Sequence, residues 1–142
     1  MPFIVDRSRS IISAMIVGRK VTSLDVAWLR REVFADGFVT REAAEELFAV
    51  ERADIAKAPD WIDFFVEMIT EHALWQTRPT GVLNEAQAEW LLEQCESCMT
   101  VNALATLVNI LGEAHRAPAW FLAAVRARAQ LEWAGLARAL AG

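Results

Sequence analysis

The sequence predicts an all-α fold of about six helices in a compact bundle, on three observations. From Val21 onward, apolar residues recur at spacings of three and four, the period of one helix face. Helix-start residues (Thr22, Thr40, Pro59, Asn84 and Pro118) fall at the breaks between these periodic runs. No run alternates apolar and polar residues for long enough to argue a sheet.

Thr22 and Asp25 form a T-x-x-D start, close to a capping box, and open a helix through roughly Val33. Thr40 caps a second helix, with Glu42, Glu45 and Glu46 near the positive end of its dipole. Pro59 suits the first turn of a third, where a backbone N–H would be unpaired anyway. Along that helix Trp61, Phe65, Met68, His72 and Trp75 make one continuous stripe. Asn84 with Gln87 caps a fourth through "EAQAEWLLEQ", and a fifth runs roughly Asn102–Glu113. Pro118 opens a sixth through about Trp133, and Gly135 ends it.

Residues 1–20 stand apart from this helical domain at 21–142. The apolar run "SIISAMIVG" (Ser10–Gly18) is flanked by Arg7, Arg9, Arg19 and Lys20. It has about half the length that spans a bilayer. Arg19 and Lys20 follow it where a signal peptide would carry small residues. Packing on the domain is the expectation. The alternatives are contact of residues 7–20 with a membrane surface or a partner, and an uncleaved targeting signal. With two Cys and no cleavable signal, the expected compartment is the reducing cytoplasm.

Two breaks look alike. "KAPDW" (Lys57–Trp61) and "RAPAW" (Arg116–Trp120) both read basic-Ala-Pro-x-Trp, and the offset pairs Ala44 with Ala103 and Phe48 with Leu107. The halves 21–77 and 82–136 then read as two tandem three-helix units from an internal duplication. That reading predicts equivalent, core-facing places for Trp61 and Trp120. It also sets Cys98 at the place of Val39.

Composition bears on function. The chain is 55% apolar, with six Trp, seven Phe and no Tyr, and its mean hydropathy is +0.24. Such an excess needs either a large core or apolar surface covered by a partner or a membrane, and a homodimer is the simplest case of a partner. Residues 1–20 carry four bases and one acid, residues 21–100 six bases and sixteen acids, and residues 101–142 four bases and two acids. An acidic middle and only two Lys exclude a nucleic-acid-binding surface, which needs cations to displace counterions from phosphate.

"FADGFVTREAAEELF" (Phe34–Phe48) has the outline of a calcium loop. With Gly37 at the sixth loop position, Asp36 falls at the fifth and Val39 at the apolar eighth. Phe34 then occupies the third and Ala43 the twelfth, so two ligand positions lack oxygen, including the bidentate one. The structural reading uses the same residues: Gly37 for a positive φ, Val39 pinned to the core, Thr40 starting a helix. "RPTGVLNEA" (Arg78–Ala86) repeats that grammar.

The turn around Asp36, the A-P-x-W helix start and the P-T-G-V turn resemble those of uncharacterised alphaproteobacterial helical proteins with degenerate EF-hand-like turns. More distantly, the chain resembles TerB-like helical domains over roughly Val21–Trp133. The resemblance implies the helical fold. TerB-like domains are associated with clustered acids that bind metal; here Asp36 is the only acid inside the first turn, and the second turn has none.

Cys95 and Cys98 have C-x-x-C spacing, which serves zinc or thiol exchange. Zinc needs four ligands and redox motifs need a βαβ setting, so two core thiols near a helix end are expected. His72 on the aromatic stripe, and His115 near a helix end whose dipole favours a cation, read as structural. Glu67 and Glu71 read as a solvated face. The expectation is therefore a non-enzymatic interaction or regulatory module without catalytic residue or cofactor. It self-associates through Trp-rich helix surfaces at Trp61, Phe65, Met68, Trp75, Trp120 and Trp133. A metal-responsive protein using Asp36 or the Cys95/Cys98 pair is the alternative, and an enzyme using His72 with Glu71 comes third.

Overall fold

The computed structural model describes residues 15–132 of the chain. Trp133, Gly135 and the start of the Ser10–Gly18 run lie outside them. The fold is all-α. Helix α1 (Ser23–Trp28) continues as a π-helical turn, Leu29–Val33, and α2 spans Arg41–Arg52. Helix α3 (Asp60–Thr70) likewise continues as a π turn, Glu71–Trp75. Then follow α4 (Glu85–Cys98), α5 (Val101–Glu113) and α6 (Ala119–Ala127), the last extended by a π turn, Arg128–Glu132.

The helix starts obey local chemistry. Thr22 and Asp25 form a complete capping box: Asp25 N donates to Thr22 Oγ1 and Thr22 N to Asp25 Oδ2. Thr40 accepts from Ala43 N, Asn84 from Gln87 N, and Thr100 from Ala103 N. Asn84 makes only half of a box, because the Gln87 amide reaches His72 O instead.

Two short parallel pairings go beyond the helical reading. Strand β1 (Lys20–Val21) pairs with β2 (Ala56–Lys57), and Val82 bridges Arg116 in the same sense. Each ties the chain entering one helix to the chain entering another: α1 with α3, and α4 with α6. Two residues of pairing are too few to leave a period-two signal.

Helix α3 is the hub, packed chiefly on α5 and also on α1 and α2, while α4 lies on α2 and α5. Trp61, Phe64, Phe65, Phe48 and Phe121 are fully buried. Phe48 meets Phe65 and Trp90 edge-on, and Trp61 stacks on Phe65. Each such ring contributes about 1.5–3 kcal/mol on leaving water. This corrects the expected interaction surface. Trp61, Phe65 and Met68 face α2 and α5 rather than solvent, so their stripe is the core and no partner reaches it.

The expected match of Trp61 with Trp120 also fails. Trp61 is fully buried, whereas Trp120 is 38% exposed and donates to Glu85. The cause is backbone conformation. Pro59 has ψ −34° and already lies on the helical path; Pro118 has ψ 140° and stands outside it. Both helices start at the residue after the proline, but the first turn closes from Trp61 N to Ala58 O in one and from Phe121 N to Pro118 O in the other. That is a shift of one residue, or about 100° of helix, and Phe121 takes the inward place. Nor do Cys98 and Val39 match, Val39 being fully buried and Cys98 half-buried.

Candidate functional site

The calcium-like turn is held by side chains from afar. Gly37 has φ +75°, and Asp36 Oδ1 accepts from Phe38 N at 3.0 Å, a local turn bond that occupies this carboxyl group. Phe34, at the third loop position, is buried against Phe64. Val39 is clamped from α3's end: its N–H donates to Gln76 Oε1, and its carbonyl accepts from Gln76 Nε2 at 2.6 Å. His72 Nδ1 lies 2.7 Å from the same carbonyl, and its ring meets Trp90 edge-on. Burial, chiefly, lowers the His72 pKa, with Arg41 adding to the effect. The Val39 carbonyl, Glu42 and Glu45 oppose it.

The residues of the metal and enzyme alternatives do not assemble among the described residues. Cys95 is buried, and burial pushes its thiol well up, so the thiolate needed for zinc or exchange is disfavoured. Cys98 is raised too, again mainly by burial, and its thiol points to Phe48 O. Among the described residues, no three of His, Cys, Asp and Glu come together as a metal site. His72 and Glu71 share no bond; His72 turns to Val39 while Glu71 lines a groove on the other side. The His115 ring packs edge-on against Trp75 and lies over Gly81, and the His115 backbone N–H donates to Gly81 O.

That groove, between α3 and α5, is the candidate site. It is open to solvent and has a volume of about 470 Å³, within the usual range for ligand-binding clefts. Ile62, Val66 and Ala105 form its apolar surface. Asp63, Glu67 and Glu71 follow one another four apart along α3, and Glu113 closes the far end. Arg30 pairs with Glu67. Asn109 Nδ2 donates to Thr70 Oγ1 at 2.9 Å and to Glu113 Oε2 at 3.1 Å, tying the walls together. Trp75 Nε1 donates to Glu113 Oε1 at 3.0 Å. The π turn makes this possible, because its i→i+5 bonds unwind the helix and carry Trp75 off the core stripe.

Beside the groove, the outer face of α5 consists of Val101, Ala105, Val108 and Gly112, all exposed. Charge is missing from that face, although solvent-facing helix surfaces normally carry it. Of the expected interaction residues that are described, only Trp75 lines the groove, and Trp120 sits elsewhere, on α6. The α5 contribution has a sequence signal: from Val101 to Gly112 the segment carries no charged residue. Such a helix should be buried on all sides. Among the described residues, no helix is long and apolar enough to cross a membrane. No family model, no curated protein and no solved structure matches the chain.

Proposed function

We propose that the protein is a non-enzymatic interaction module whose working surface is the α3/α5 groove together with the outer face of α5. One observation carries this reading: Ile62, Val101 and Val108, at 42%, 58% and 52% exposure, lie on or beside one groove with an apolar surface, whereas the other exposed large side chains, Val17, Leu24, Phe38, Met99, Trp120 and Leu122, do not line it. Exposed apolar surface costs free energy that covering by a partner recovers. The unpaired thiols at Cys95 and Cys98 fit a reducing, cytoplasmic setting.

The test is a photo-crosslinking residue at Ala105 or Val108, compared with one at Glu89 on the outward side of α4, in the native cells. A discrete protein adduct from the α5 positions alone is the expected result. No adduct, or equal labelling from Glu89, ends this reading.

A further inference from the structure

We infer that the groove takes a cationic amphipathic helix of another protein, with Lys or Arg residues four apart set against α3 and an apolar strip against α5. The inference rests on the interaction reading above and names its partner class.

Charge is the first argument. Four carboxyl groups, on Asp63, Glu67, Glu71 and Glu113, line the groove, against one guanidinium, that of Arg30 on Glu67. Asp63 and Glu71 meet no base among the described residues. Glu113 takes both of its hydrogen bonds from neutral donors, Trp75 and Asn109, and stands at the end of α5, where the helix dipole is already negative. Like charges four apart on a helix repel each other, and a cation between them relieves this.

Shape is the second. Ile62 to Trp75 covers about 20 Å of helix axis, enough for a partner helix of between three and four turns. A small polyamine would satisfy the acids and leave the apolar face of α5 uncovered. A second copy would bring one acidic rim against another, which disfavours the symmetric pairing. Phosphate-bearing surfaces are repelled for the same reason.

The probe is a blocked helical peptide of about 14 residues made of Leu, Ala and Lys, with Lys at every fourth position. Its counterpart carries Glu for Lys. The Lys peptide is expected to bind the full chain, to weaken with added salt, and to shift the Val66, Ala105 and Val108 amides and the Trp75 indole. The double variant Asp63→Asn, Glu71→Gln should weaken it about tenfold. Glu89→Gln with Glu93→Gln removes the same charge from exposed positions of α4 that do not line the groove, and should leave affinity unchanged. None of the four side chains makes a hydrogen bond among the described residues, and a thermal melt of each variant checks its fold.

Equal binding of the Glu peptide, equal loss in the α4 variant, or shifts away from the groove each overturn the inference. So does a dimer closed through α5, seen by light scattering. Failure of the Lys peptide to bind, alongside an adduct specific to Ala105, ends the cationic class and leaves the interaction reading standing. Failure of both ends both.

Discussion

Trp61 Nε1 donates to Glu51 Oε1 across 2.8 Å, between two side chains closed off from solvent, and Asn102 Nδ2 adds a second bond to the same oxygen at 3.1 Å. Glu51 is 4% exposed, on the inward face of α2. Its carboxyl joins α2 to α3 and α5 at one point in the middle of the aromatic core.

Removing that acceptor strands two donors. Glu51→Ala is expected to cost about 1–3 kcal/mol for each group left unpaired, read as a lower midpoint in urea unfolding. Glu51→Gln keeps an oxygen in place and should fall much closer to the parent. If the two variants lose the same stability, the hydrogen bonds are not what holds this junction.

Gly37 and Gly81 have nearly the same backbone, φ +75° and +77°, and different surroundings. A Cβ on Gly37 meets open space, whereas one on Gly81 would lie 2.9 Å from His115 Nδ1. Gly37→Ala should therefore cost about 1 kcal/mol, the strain of a left-handed residue alone. Gly81→Ala should cost clearly more and push the His115 ring off Trp75. Equal losses in thermal unfolding would show that the ring moves freely.

The Gln76 clamp predicts a local effect. Gln76→Ala leaves the Val39 N–H without its partner and takes one bond from its carbonyl, at a cost of about 1–3 kcal/mol. Hydrogen exchange should show lost protection at Val39, while the amides of α5 keep theirs. Unchanged exchange at Val39 would refute the clamp.

The pH dependence follows from His72. Its folded pKa lies below the ordinary 6.5, mainly because burial disfavours the cation. The unfolded chain thus binds the proton more readily in the window below about 6.5. The stability contributed by neutral His72 is whole above that window and is lost as pH falls toward the lower folded value. His72→Asn, which retains a donor near Val39, should flatten the urea midpoint across that window. The parent should fall.

Much of the fold was legible because it is local. Thr22 with Asp25, Thr40 and Asn84 announce helix starts through bonds that span three residues, and all three caps form. Val39 could be read as pinned, but its clamp comes from Gln76, 37 positions away, and no spacing rule reaches that far. The two Ala-Pro-x-Trp starts differ in proline ψ, which the sequence does not display, and Trp61 and Trp120 end in different places. The candidate groove was half visible. Glu67 and Glu71 were legible as a charged face, while Ala105, Asn109 and Glu113 join them only once α5 packs on α3.

Among the described residues, four indoles give their N–H to a glutamate: Trp61 to Glu51, Trp75 to Glu113, Trp90 to Glu45 and Trp120 to Glu85. Each bond crosses a different helix junction, respectively α2–α3, α3–α5, α2–α4 and α4–α6. The indole proton has a resolved resonance of its own. One nitrogen-15 spectrum of tryptophan-labelled protein therefore gives a separate gauge for each seam, and the order in which the four signals fade on warming is the order in which the bundle comes apart.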